Sequence, residues 1–289
     1  MDPKDSSSDR STRADPFLPE YMSFSAATRY EDCPRSWYLS YARKAEPRQT
    51  WFFPMGTAVH ESIESYIKTG NIPEFKDIFY PLIAKQMEID PDHRNWLHAG
   101  TGENIVQGQA AIDLGRACVD NAVKFLQDMD VWEVEHDASC SLPGLEVPVK
   151  MYIDIIGEHK KHGPIIVDWK SGKSAPQSIF QLETYKAGVL QHGFTDAGFF
   201  NGYWGMLHPE ATPKTSKGRL KDLSHVTPEA IGKRFQAAYD GMKQAIYKAN
   251  KKFGCKFCIM QDNCLANLAP LGSERARHYD HSKTDGVTS

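Results

Sequence analysis

The sequence predicts an α/β fold in which helices precede, interrupt and follow the strands of one sheet. Three observations carry this. Between Glu103 and Asp128 the apolar residues Ile105, Ile112, Val119, Val123 and Leu126 recur at steps of seven, seven, four and three, the mark of a long amphipathic helix. The period then changes: VWEVEHDASCSL and VPVKMYIDIIGE alternate or run apolar over short stretches, and PIIVDWKSG is a β-branched run closed by Gly172. Helical spacing returns in SIFQLETYKAGVLQHG before GFFNGYWGML reads as a fourth strand.

The remaining elements follow in chain order. Residues 1–20 are rich in Ser, Asp and Arg, with almost no large apolar residue before Phe17, and are expected to form a flexible tail. After Ser23 or Ser25, either able to cap a helix, come Tyr30, Trp37, Tyr38 and Tyr41, with Pro34 breaking the pattern. Two short helices meeting at Cys33-Pro34 are expected. GTAVHESIESYIKTG sets Val59, Ile63, Tyr66 and Ile67 at helical spacing, with His60 in its first turn and Gly70 as the C-cap. Thr227-Pro228 opens a last helix expected to run to about Lys251. Between it and the fourth strand, HPEATPKTSKGRLKDLS carries Lys214, Lys217, Arg219 and Lys221 without apolar periodicity and reads as an exposed loop.

Composition sets bounds on function. The 289 residues, 40% hydrophobic and 25% charged, are enough for a substantial core and exclude a wholly disordered chain. With 34 Lys and Arg against 37 Asp and Glu, the net charge of -3 excludes a uniformly basic polyanion binder, so any polyanion must meet a local patch. No apolar run approaches the roughly 20 residues that span a bilayer, and MDPKDSSSDRSTRADP lacks the apolar stretch of a secretory signal. A soluble cytoplasmic protein without membrane contact is expected. Six cysteines are too few for a disulfide scaffold and read better as ligands, nucleophiles or core residues.

Two groups of residues point to chemistry. Asp154 ends one apolar strand; Asp168 and Lys170 flank Trp169 at the end of the next, and as i and i+2 they share one face. A hairpin through GEHKKHG would bring Asp154 beside them. Carboxylates converging at strand ends form a hard oxygen site suited to Mg²⁺ or Mn²⁺, which can polarise a phosphoryl oxygen and activate water. Lys170 could then orient that water or neutralise charge developing on phosphate. Glu133 and Glu135 read as exposed strand acids, either able to add a carboxylate. The second group is CKFCIMQDNC, a C-x₂-C-x₅-C run at Cys255, Cys258 and Cys264 whose thiolates suit zinc or an iron-sulfur cluster, with Cys33, Cys118 or Cys140 available as a fourth ligand.

Taken in order, these residues resemble the PD-(D/E)XK nuclease superfamily in its RecB-type branch. GTAVH at Gly56–His60 resembles the branch's G-x-x-x-H helix, QLETY at Gln181–Tyr185 its Q-x-x-x-Y helix, and Asp154 with Asp168-Trp169-Lys170 its core. The sequence departs from the pattern at Asp168, where many members have Glu, and at Met151, where Gly is common. Cys33 in CPRSWY, followed by Cys255, Cys258 and Cys264, resembles the members that carry an iron-sulfur cluster, such as the AddB nuclease domain and the CRISPR-associated four-cysteine exonucleases.

The resemblance implies a restriction-endonuclease-like mixed central sheet flanked by helices, with a helical iron-sulfur lobe formed by both chain ends. It implies one nuclease domain over 21–270, in which 21–55 and 228–270 form the lobe and 56–227 the core, between flexible tails at 1–20 and 271–289. His60, Asp154 and Asp168 would be metal ligands, the backbone carbonyl of Trp169 a further one, and Lys170 catalytic, with Gln181 and Tyr185 lining the site. Cys33, Cys255, Cys258 and Cys264 would hold a [4Fe-4S] cluster, leaving Cys118 and Cys140 as incidental thiols. The implied activity is Mg²⁺- or Mn²⁺-dependent exonuclease action on single-stranded DNA or duplex ends, with helicase, recombination or adaptation proteins as partners. The aromatics around Trp37 and Tyr41 and the loop from Lys214 to Lys221 are candidate DNA contacts. The alternative is a non-catalytic DNA-binding or assembly subunit of a recombination or CRISPR-adaptation complex that keeps the fold.

Overall fold

The computed structural model describes residues 17–89, 91, 108–194, 197–211, 219–250, 255 and 258–264. The expected tails fall mostly outside these residues, as do Ile105, Lys214 and Lys217. Helix α1 (Phe24–Asp32) starts where Ser23 Oγ accepts from Ala26 N at 3.2 Å. Cys33, extended at φ -159°, separates it from α2 (Pro34–Trp37), whose Pro34 occupies the first turn, where no donor is lost. A π-helical turn at Tyr38–Ala42 follows. Helix α3 (Phe52–Thr69) starts before its expected Gly56 and closes at Gly70, whose φ of 75° suits a residue without Cβ. Two further helices, α4 (Phe75–Ile89) and α5 (Gly108–Leu126), lead into the sheet.

Five strands form that sheet in the order β1-β2-β3-β4-β5: β1 (Met129–Asp137), β2 (Tyr152–His159), β3 (Gly163–Lys170), β4 (Asn201–Met206) and β5 (Leu220–Lys221). β1, β2 and β3 pair antiparallel, β4 joins β3 in parallel, and β5 pairs antiparallel with β4. The parallel pair requires a crossover, supplied by helix α6 (Phe180–Gln191). Helix α7 (Pro228–Lys243) comes last, capped by Thr227 Oγ1 on Ala230 N at 3.2 Å.

Strand alternation then builds three layers. Ile165, Val167 and Trp169 of β3 pack with Val59, Ile63, Phe79, Ile112 and Val119 of α3 to α5, together with the buried Cys118. Ile166, one position out of phase, joins Tyr30, Trp37, Phe180 and Phe235 on the other face, beneath α1, α2, α6 and α7. The mixed sheet flanked by helices is the architecture expected. No described helix is long and apolar enough to cross a membrane.

Four expectations are corrected. Part of the loop expected to be irregular is β5, with Lys221 opposite Gly202. Helix α7 ends at Lys243 rather than near Lys251, because Ala245 turns into the left-handed region at φ 52° and Ile246 N bonds back to Gly241 O. Trp37 is fully buried between Tyr30, Tyr41 and Tyr247, and so has no face to offer a base. Phe17, placed in the expected tail, packs 5.9 Å from Trp37, and its N–H donates to Tyr247 Oη at 2.9 Å.

The bulk of Met151 is accommodated by α6. A Cβ on Gly188 would lie 2.5 Å from Met151 Sδ and 2.9 Å from Ala138 O, so this helix lies close over the strand only because residue 188 has no side chain.

Candidate active site

Sheet register lines up three carboxylates. Val134 pairs with Ile155 and His136 with Ile153, which sets Glu135 across from Asp154; Ile155 pairs with Val167, so the same rung runs on from Asp154 to Asp168. Like charges on adjacent strands repel, and such a row calls for a cation. Glu135 reaches the row through an unusual backbone: β1 carries a register shift between Val131 and Glu133, and Glu135 sits at φ 48°. A non-glycine residue in this region is strained, and bulges of this kind re-aim side chains at functional sites. Helix α3 brings His60 onto the rung from the side. Its Nδ1 lies 3.5 Å from Asp154 Oδ1 and 4.0 Å from Glu135 Oε1. The ligand atoms of His60, Glu135 and Asp154 all fall within 4.8 Å of one another.

Asp154 Oδ2 is held at 2.6 Å by the backbone N–H of Trp169, which leaves Oδ1 turned toward His60. Asp168 anchors a closed circuit. Lys170 Nζ lies 2.6 Å from Asp168 Oδ2 and donates to Gln181 Oε1 at 3.0 Å; Gln181 Nε2 donates to Tyr185 Oη at 2.9 Å; Tyr185 Oη–H donates to Asp168 Oδ1 at 3.4 Å. Gln181 and Tyr185, four residues apart, occupy one face of α6, which is why the two can join. Trp169 points to the opposite face, where its ring covers Gly205; a Cβ there would meet the indole at 2.1 Å.

Burial dominates the electrostatics. It pushes the Asp168 carboxyl up to about 7, with Lys170 pulling down and Asp154 adding to the rise. Burial, then the Asp154 charge, raises Glu135, while His60 opposes. For His60, burial works against the cationic form, but the hydrogen bond and charge of Asp154, followed by Asp168 and Glu135, outweigh it and raise the imidazole above 6.5. Burial and then Asp168 hold the Tyr185 phenol well above its usual value, so it stays a donor.

These groups open onto a cleft of about 1270 Å³. His60, Glu135 and Lys170 reach its surface, together with Trp51, Phe52 and Phe53 from the start of α3 and Lys173 and His208 from the loops after β3 and β4. Asp154 and Asp168 lie behind, 7% and 1% exposed.

The donor set fits a hard divalent cation. It is made of oxygens with one imidazole, and Asp168 Oδ2 is buried without a properly directed hydrogen bond, because Lys170 meets it only as a close charge. A cation must displace the proton that burial favours on Asp168, so apparent affinity should rise with pH through about 7. Replacing Glu135 by Gln is expected to raise the Mn²⁺ concentration for half-maximal thermal stabilisation by about tenfold or more. An unchanged Mn²⁺ titration would remove Glu135 from the ligand set.

The cysteines occupy a second region, where the chain ends meet. Asn250 N donates to Cys33 Sγ at 3.4 Å, Cys255 Sγ lies 3.8 Å from Asn250 O, and Cys258 Sγ lies 3.7 Å from Ser36 Oγ. Arg48 N bonds Ile259 O at 2.7 Å, and Asn263 Nδ2 bonds Glu46 O at 2.6 Å, which docks the tail against the N-terminal segment. None of the cysteines is in a disulfide, and among the described residues no three of their sulfurs come within 4.8 Å of one another. Cys140 lies apart, on a backbone bridge to Val149.

His60, Asp154, Asp168, Lys170, Gln181 and Tyr185 are therefore brought together, and Trp169 contributes its backbone amide. Glu135 is the residue that sequence reasoning placed on an exposed strand; the antiparallel register opposite Asp154 was the available signal.

Comparison with curated proteins gives no match. The sequence profile of the PD-(D/E)XK nuclease superfamily matches residues 21–265, a span that includes every residue of the carboxylate rung and the lysine circuit. The chain belongs to the PD-(D/E)XK nuclease superfamily.

Proposed function

We propose that the chain is a RecB-like, Mg²⁺- or Mn²⁺-dependent deoxyribonuclease, acting as an exonuclease on single-stranded DNA or duplex ends, within one domain over 21–270. The observation that carries this is the rung of Glu135, Asp154 and Asp168 ending beside Lys170 at the wall of an open cleft. His60, Glu135, Asp154 and Asp168 would hold the ion, with the Trp169 carbonyl as a further ligand. Bound there, it supplies Lewis acidity toward a phosphoryl oxygen and toward the attacking water.

The chain's own groups do the rest. Lys170, fixed between Asp168 and Gln181, places its ammonium at the cleft, where it orients water or neutralises charge building on the phosphate. Tyr185 and Gln181 hold that ammonium and the Asp168 carboxylate in register. The Trp169 amide fixes Asp154 in the rotamer that faces His60.

The second part of the proposal is a structural [4Fe-4S] cluster on Cys33, Cys255, Cys258 and Cys264. Its support is that the thiols are unbridged and half-buried, and that Cys33 against Asn250 and Cys258 against Ser36 join the two segments that carry them. The same four thiolates could instead hold a tetrahedral zinc, which a metal analysis separates from a cluster.

Titrating Mg²⁺ and Mn²⁺ against labelled single-stranded and duplex DNA tests the activity. Metal-dependent mononucleotide or short-oligonucleotide release from ends is expected. Binding without cleavage at any metal concentration would favour the assembly-subunit alternative.

A further inference from the structure

We propose that the aromatic run opening α3 is a base-stacking platform that makes the cleft prefer single-stranded DNA, with Phe53 as the face on which the base lies. The inference rests on the nuclease reading and names the substrate form it takes. Phe53 is 51% exposed, although a large aromatic is ordinarily buried. It is also held in place. Trp51, only 7% exposed, meets Phe52 edge-on with ring centres 6.1 Å apart at 84°, and Phe52 meets Phe53 at 4.9 Å and 72°. The ladder runs from the core out to the cleft and presents its last ring to solvent in a fixed orientation.

The platform is continuous with the metal site because both stand on one helix. Seven residues separate Phe53 from His60, about 10 Å of helix rise. At about 3.4 Å per stacked nucleotide, a base on Phe53 belongs to a nucleotide about three steps from the phosphate at the rung. The opposite side of the cleft suits the sugar-phosphate strand. Lys170 is cationic, Lys173 is paired with Glu210 at 2.6 Å on the same wall and would exchange that carboxylate for a phosphate, and His208 Nδ1 accepts from Glu210 N–H at 3.0 Å, which leaves Nε2 as the protonated, donating nitrogen. Farther along α3, Glu61 lines the cleft beside Glu64, which Lys68 partly neutralises, and the Glu61 carboxylate repels phosphates from that end, so the strand is directed over the aromatics. Bases in a duplex have their faces covered by neighbours and gain nothing from Phe53; an unpaired base does.

The test uses the full chain in chelator, so that binding is read without cleavage. Single-stranded oligodeoxynucleotides carry 2-aminopurine at one position at a time. Position-specific fluorescence quenching is expected with the parent, to be lost in Phe53→Ala and kept in Phe53→Trp. Phe53→Ala should weaken single-strand binding about tenfold to hundredfold, the contribution of one base-aromatic stack, and blunt-duplex binding less than about twofold. On an oligonucleotide abasic at the quenched position, parent and Phe53→Ala should bind alike. Equal losses on single strand and duplex, no loss at all, or a Phe53→Trp variant as weak as Phe53→Ala would overturn the proposal. Tighter binding of the matching oligoribonucleotide would overturn the assignment to DNA. Position-specific quenching in a protein that never cleaves would leave the platform standing while the nuclease reading fell.

Discussion

Replacing Lys170 by Met is expected to slow DNA cleavage by about a thousandfold, or ~4 kcal/mol of transition-state stabilisation, while the protein still melts cooperatively near the parent temperature. Met keeps the aliphatic stem and removes only the cation, whose Nζ lies 5.5 Å from the Trp204 ring centre. The fold survives because Asp168, already raised to about 7 by burial, can take up a proton when its partner is gone. That same protonation would weaken metal binding, so two causes of lost activity need separating. Saturating Mn²⁺ at a pH well above 7 restores the ionised carboxylate. If it also restores cleavage, Lys170 acts only by keeping Asp168 charged; a persistent loss places it at the reacting phosphate. Cleavage within tenfold of the parent under ordinary conditions would sink the assignment.

The largest effect on stability is expected from the cysteines. With the proposed cluster in place the purified parent is expected to be brown, and Cys258→Ser to be colourless and less stable by about 5 kcal/mol, on the scale of closing a loop this long. Ser36 and Cys258, 222 residues apart in sequence, lie 3.7 Å apart in space, so a group held at this corner restrains almost the whole chain. A site absent from the unfolded chain contributes its binding energy to folding. Cys33→Ser, Cys255→Ser and Cys264→Ser should match it if the four thiolates act as the one unit proposed, whereas Cys140→Ser should keep both colour and stability. Colourless parent protein carrying one zinc would decide for a zinc staple, and colour surviving in Cys258→Ser would remove that residue from the ligands.

Much of the site was legible because strand chemistry is local. In IIVDWK the alternation alone puts Asp168 and Lys170 on one face and Trp169 on the other, and the structure keeps that division. The spacing in QLETY likewise places Gln181 and Tyr185 together on α6. What was not legible depends on pairing or on backbone exceptions. Glu135 looks like any outward strand acid until a register shift and a positive φ turn it toward Asp154. Helix α4 carries Pro81 in its interior, a residue that argues against helix when sequence is read alone. Strand β5 is two residues long and exists only through its ladder to β4. The end of α7 is hidden because Tyr247 stays buried after the helix has stopped, so the apolar pattern outlasts the hydrogen bonds. Phe53, one of three consecutive large apolar residues from Trp51, gives no sequence sign of which ring faces the cleft.

The close approach of Met151 to Gly188 has an evolutionary consequence. Enlarging residue 188 alone meets a thioether and a carbonyl, and shrinking residue 151 alone leaves a hole beneath α6. A smaller residue 151 would relieve only the thioether contact; the Ala138 carbonyl stays 2.9 Å from any Cβ at 188, so a change at 151 cannot free that position. The main chain after β1 thereby commits the helix that carries Gln181 and Tyr185 to glycine at this position, whatever residue 151 becomes. Part of the identity of that helix is thus dictated by the backbone it lies on rather than by the side chains it presents to the site.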